Sequence, residues 1–276
     1  MSSTTMSSQP EVVTNAATPP AEDGGGGQMT FFEHLVELRK RLINSIVAIA
    51  LGAIAGWYLA PHFVQFITTP MQKALNDHHL DPQLIYTNPT GYLSLLITLA
   101  VYLGIVLASP YVLYQLWLFV APALYRHEKS AVTGFLFSTV FLFLAGIAFG
   151  YFMMLPHVLD FLIGFQGPVK PLISINEYFE LILMILLGLG LIFEMPILIF
   201  FLSVFGIVTP KFLVQNSKYA ILLITIAAAV LTPTPDALTM LIFMAPMVAL
   251  YFIGVGVSWL VVRRKQRRLL AEAKGQ

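Results

Sequence analysis

Cysteine is absent from the 276 residues, which excludes disulfides, zinc thiolate sites, iron-sulfur clusters and a cysteine nucleophile. Charge is scarce as well. Only 11% of residues are Asp, Glu, Lys or Arg, against about a quarter in soluble domains. With 58% hydrophobic residues and a mean hydropathy of +0.81, the chain reads as an integral membrane protein. No Lys or Arg precedes Arg39, so the start lacks the early positive charge of a secretory signal or a transit peptide. Also missing are a GxxxxGK[ST] loop, HExxH, GxSxG and a dinucleotide fingerprint, and with them any recognisable machinery for hydrolysing ATP, peptides or esters. The six histidines are scattered, and His78 and His79 stand among no other metal-type ligands, so neither a metal nor a cofactor is expected.

What is present is apolar sequence in long runs. The first 28 residues are an exception, rich in Ser, Thr, Pro and Gly with GGGG at 24–27; a disordered tail is expected over 1–28, with the structured chain starting near Met29. A span takes about 20 mostly apolar residues. Six stretches qualify as spans: 42–60, closed by Pro61; 91–119, kinked at Pro110; 130–155, stopped by Pro156; 178–205, with Pro196 inside; 219–231; and 237–262, with Pro246 inside. At 1.5 Å per residue the fifth spans roughly 20 Å, short of a hydrocarbon core of about 30 Å, so it requires local thinning or shelter by its neighbours. The expectation is an all-α membrane protein with a six-helix domain over 29–262 and a basic tail over 263–276.

Orientation follows from where the cations fall. Arg39, Lys40, Arg41, Arg126, Lys129, Lys211, Lys218 and the six Lys and Arg after Val262 share one side, against Lys73 and Lys170 on the other. That bias puts both termini in the cytoplasm.

The acids are fewer and more awkwardly placed. Glu37 precedes the first span and Glu128 lies in the short RHEK segment between the second and third, so two carboxylates from separate elements face the cytoplasmic side. Each has a bland reading: Glu37 pairs with Arg41 at i,i+4, and Glu128 favours a helix N-terminus. Together they also suit a site that receives a cation, best of all two guanidiniums, because Arg and carboxylate match as bidentate forks. Glu194 lies near the middle of the fourth span, two residues before Pro196, where a carboxylate is expensive enough to suggest function; otherwise it bonds, protonated, to a carbonyl freed by the proline. Asp236 follows a TPTP turn and can cap the sixth helix. YQLWLF at 114–119 reads as interface belt and helix packing.

HLVELRKRL at 34–42, SPYVLYQLWLFVAPALYRHEK at 109–129, FEMPI at 193–197 and LTPTPD at 231–236 closely resemble the TatC family, the multispanning subunit of the twin-arginine protein translocase, over about residues 30–262. The resemblance implies a glove-shaped six-helix receptor in a bacterial inner membrane, with short fifth and sixth helices and no enzymatic role. It places recognition of twin-arginine signal peptides on Glu37 and Glu128, with His34 and Arg39 beside the first and Phe119, Pro122, Leu124 and Tyr125 leading to the second. Glu194 matches the family's intramembrane glutamate, Pro70 a proline of the first extracytoplasmic loop, and Thr232 and Asp236 the turn between spans five and six. One position departs from the pattern: Thr239 and Met240 stand where some relatives are expected to carry glutamine early in helix six. The implied partners are signal peptides of folded precursors, single-span subunits of the TatA and TatB type, membrane lipid and further copies of the chain in a hetero-oligomer, with no nucleic acid; the implied energy source is the protonmotive force. A proton-coupled secondary transporter using Glu194 is the alternative, although no pair of internal repeats supports it.

Overall fold

The computed structural model describes residues 31–120, 129–165, 172–232 and 236–274, and the expected tail over 1–28 lies outside them. Among the described residues the secondary structure is helical, apart from one isolated parallel bridge between Ile85 and Ser174. Five apolar helical segments are long enough to cross a membrane: Leu35–Asp77, Gly91–Phe119, Leu136–Gly164, Ile175–Val204 and Ala237–Arg264. A sixth apolar helix, Ser217–Leu231, is shorter at 15 residues. The all-α class is therefore found, with five long segments and one short; the fifth is short as expected, but the sixth, Ala237–Arg264, is long and not short as the resemblance implies.

Several prolines do not act as the sequence suggests. Helix α1 (Phe31–Asp77) runs through both Pro61 and Pro70, so the stop expected at Pro61 does not occur, and Pro70 lies in helix and not in a loop. A proline inside a helix leaves the carbonyl four residues earlier without its donor, and in a membrane some other group has to replace it. The carbonyl that Pro70 strands is that of Phe66, and the Tyr151 hydroxyl donates to it at 2.6 Å. The Tyr178 hydroxyl donates to the neighbouring Ile67 carbonyl at 2.5 Å. In α2 (Gly91–Val120), Pro110 strands the Val106 carbonyl, and the Ser109 hydroxyl takes it at 2.7 Å.

Nor does Pro156 stop the third span. Helix α3 (Lys129–Phe149) passes through a π turn, Gly150–Met154, into α4 (Leu155–Gly164), with the Leu155 N–H reaching back to the Gly150 carbonyl. The widened turn absorbs the missing donor of Pro156. Pro196, by contrast, does interrupt its span: α5 (Ile175–Phe193) ends and α6 (Met195–Val204) begins on either side of Glu194. Helices α7 (Pro210–Gln215) and α8 (Ser217–Leu231) follow. Helix α9 (Ala237–Lys274) continues through the basic stretch expected as a separate tail, because Arg, Lys, Leu, Ala and Glu all favour helix and neither Gly nor Pro intervenes before Gly275.

The position of the site is set by how α1 meets α2. Gly52 and Gly56 on α1 face Gly104 and Ala100 on α2 so closely that a Cβ on Gly56 would lie 2.4 Å from the Ala100 carbonyl oxygen. Small residues four apart on both helices form a backbone-to-backbone seam. One core cluster gathers α1, α2, α4 and α5 around Leu99, Leu155, Leu159 and Ile182; a second joins α5, α6, α8 and α9 around Leu189, Ala228, Phe243 and Met247. The Ser203 hydroxyl donates to that of Ser258 at 2.7 Å, tying α6 to α9, and the Tyr251 hydroxyl donates to the Leu213 carbonyl at 2.7 Å, tying α9 to α7.

Candidate functional site

The start of α1 and the end of α2 lie side by side, because the seam through Gly52 and Gly104 continues in antiparallel register for about three more turns. There Arg41 bridges the two helices. Its Nη2 donates to Glu37 Oε1 at 3.1 Å along α1, and its Nη1 donates to Gln115 Oε1 at 3.1 Å across to α2. Glu37 and Arg41 side chains are only 16% and 23% exposed, and Gln115 is buried. Glu37 Oε2 and Arg41 Nε are buried with no hydrogen-bond partner. An ion pair that has left water normally satisfies its remaining lone pairs and protons. This one leaves an acceptor on the glutamate and a donor on the arginine unsatisfied.

Arg39 and Lys40 point outward and are exposed, while Phe119 is half-buried in the last turn of α2. His34 belongs to α1, but its side chain is outside the described set, as are Pro122, Leu124, Tyr125 and Glu128. Trp117 stacks on Phe201 at 3.8 Å between ring centroids, which brings α6 against the end of α2 that carries Gln115. Gln115 is the partner that the sequence reading missed, having assigned YQLWLF to packing. Its signal was a lone amide inside an apolar helix, a residue type that rarely sits in hydrocarbon without a polar partner.

The other candidates occupy separate elements. Glu194 stands at the break between α5 and α6, with Oε1 buried and unpartnered; the bond expected to a carbonyl freed by Pro196 is not formed by that oxygen. Asp236 Oδ1 accepts the Thr239 N–H at 2.7 Å and so caps α9. The Thr232 hydroxyl donates to the Ala228 carbonyl at 2.6 Å, closing the end of α8. Thr239 is fully buried, and its hydroxyl oxygen has no partner. Among the described residues no group of three or more His, Cys, Asp and Glu is placed to hold a metal ion.

Comparison with known proteins gives one answer. Residues 33–246 match the family described as Sec-independent protein translocase protein (TatC). The chain is 47% identical over 248 residues to the Sec-independent protein translocase protein TatC of Koribacter versatilis (strain Ellin345), covering 89% of this chain and 92% of that protein. Over 248 residues it is 38% identical to the Sec-independent protein translocase protein TatCy of Bacillus subtilis (strain 168), covering 89% and 94%. A crystal structure of the twin arginine translocase receptor TatC superposes with a TM-score of 0.73 at 35% identity, covering 83% of this chain and 99% of the other. On this likeness in sequence and in fold, the chain belongs to the TatC family, the multispanning membrane subunits of the Sec-independent, twin-arginine protein translocase.

Proposed function

We infer that this translocase subunit recognises twin-arginine signal peptides at the end of the bundle formed by the start of α1 and the end of α2, and that this end faces the cytoplasm. The observation that carries the reading is the unsatisfied Glu37 carboxylate: Arg41 holds Oε1, and Oε2 has no donor. A ligand guanidinium supplies the missing donor, and two ligand arginines need two carboxylates, for which Glu128 is the second. Gln115 keeps Arg41 in place when Glu37 turns to the ligand. Thirteen of the fifteen Lys and Arg fall on this side, which supports both termini being cytoplasmic. On this reading His34, Arg39, Phe119, Pro122, Leu124 and Tyr125 contribute to recognition by resemblance to the family, and single-span TatA- and TatB-type subunits complete the pathway near Thr232 and Asp236, with the protonmotive force driving transport.

Binding of a labelled twin-arginine signal peptide to the full chain in nanodiscs tests this. A hydrogen bond to a charged group is worth about 1.5–3 kcal/mol, so Glu37→Gln and Glu128→Gln should each weaken binding by roughly 10- to 100-fold. A twin-lysine peptide should also bind less tightly, because Lys loses the fork. Equal binding of both peptides, unaffected by either substitution, rejects the site.

A further inference from the structure

A groove of about 840 Å³ runs between α7 and the second half of α9, at the end of the bundle where the apolar stretch of α9 closes at Arg264. Its floor is apolar, with Phe252, Val255 and Gly256 of α9. Gly256 is exposed, and a Cβ there would meet nothing within 4 Å, so the space above it is open. Its rim is cationic. Lys211 opens one side, and Arg263 the other, its guanidinium 3.3 Å from the ring centroid of Trp259.

Two features say what fits there. No Asp or Glu lines the groove, and neither Lys211 nor Arg263 makes an ion pair with a described carboxylate. The positive charge is therefore uncompensated among the described residues, and packing on Trp259 holds Arg263 in place without using up its N–H donors. The polarity also runs in one direction, from the apolar floor on the membrane-spanning part of α9 to the cations where α9 turns basic at Arg263, Arg264 and Arg267. An occupant must carry an anionic head and an apolar chain in that order, at the depth of the membrane interface.

We propose that the groove between α7 and α9 is a binding site for an anionic phospholipid, its phosphodiester head held between Lys211 and Arg263 and its acyl chain lying over Gly256 and Phe252. The site is independent of signal-peptide recognition at Glu37. It braces α7, otherwise a short helix tied to α9 through the Tyr251 hydroxyl, against the long helix that passes it.

The chain supplies its own reporter. It has three tryptophans, and Trp57→Phe with Trp117→Phe leaves Trp259, which lines the groove, as the single fluorophore. The full chain in mixed vesicles is titrated with brominated phosphatidylglycerol or brominated phosphatidylcholine, and quenching is read relative to each variant's own unquenched signal. Each cation is worth about fivefold near an anionic head, so phosphatidylglycerol should be preferred on the order of tenfold or more. Lys211→Gln with Arg263→Gln, both on the rim, should bring the two lipids to near equality. Gly256→Leu, whose Cβ has open space around it and whose longer side chain enters the groove, should reduce quenching by both. Equal quenching in the parent overturns the proposal. So does a preference that survives the double substitution, or phosphatidylglycerol quenching that Gly256→Leu leaves unchanged. Loss of the preference on adding inorganic phosphate at constant ionic strength makes the site one for a free anion and overturns it too.

Discussion

At the scale of single residues, Tyr151 carries more than its packing. It stacks on Phe66 at 4.4 Å with the rings near parallel, and its hydroxyl takes the Phe66 carbonyl that Pro70 leaves without a helical donor. Tyr151→Phe keeps the stack and removes only that bond, which should cost about 0.6–2 kcal/mol of unfolding free energy in detergent or bicelles. The same substitution should cost less in a Pro70→Ala background, because the alanine restores a backbone N–H to the Phe66 carbonyl. A double-mutant cycle that shows no coupling removes the link between the two residues. Local pairs of this kind differ in how far the sequence exposes them. The Asp236 cap and the Glu37–Arg41 pair span three and four residues, so helical periodicity alone brings them together. Gln115 lies 74 residues from Arg41, and only the register of two packed helices makes them neighbours. Glu194 shows a different failure. The sequence identified it as costly, but whether its oxygens find partners depends on a break in the helix whose geometry no local pattern encodes.

Among the elements, the seam between α1 and α2 decides whether the site exists. A Cβ on Gly104 would lie 2.4 Å from the backbone nitrogen of Ala53, and backbone cannot rotate away as a side chain can. Gly104→Val should therefore destabilise by about 3 kcal/mol or more, at the upper end of overpacking penalties, by forcing the helices apart. Because the same seam sets the Arg41–Gln115 distance, peptide binding should weaken in the fraction that remains folded, a coupling measurable in the nanodisc assay. Gly256→Ala is the control: its Cβ meets nothing, and losing a helical glycine should stabilise by about 0.5–1 kcal/mol. The number of apolar segments was legible because hydropathy depends on composition alone. Their ends were not, because a proline does not by itself mark where a helix stops. Pro61, Pro70, Pro110 and Pro246 lie inside helices, Pro70 and Pro110 with hydroxyl groups serving the carbonyls they strand; Pro156 follows a π turn, and at Pro196 the helix breaks.

For the whole molecule, membership of the translocase family sets the solute-transporter alternative aside and shifts attention to how the bundle meets the bilayer. Five helices have length to spare, whereas α8 covers about 22 Å at 1.5 Å per residue, against a hydrocarbon core of about 30 Å. Sequence alone left open whether neighbours shelter the short span or the membrane thins around it. In this chain α8 buries Ile224 and Ala228 but exposes Leu222, Leu223, Ile226 and Val230, so shelter by its own helices is partial and its outer face is left open. The remaining mismatch of about 8 Å costs fractions of a kcal/mol per Å, a few kcal/mol in all, and acts on this one element. Amide exchange in α8 should therefore be slowest in bilayers of short acyl chains and accelerate as the chains lengthen, while exchange in α2, which at 30 residues spans comfortably, should change little. Inserting three leucines before Leu231 should lengthen α8 by about 4.5 Å and move its optimum to thicker bilayers. If α8 protects its amides equally across the series, the bilayer does not thin around it. Contact with another subunit must then cover the face that this chain leaves open, and that face becomes the place to look for a partner of the translocase.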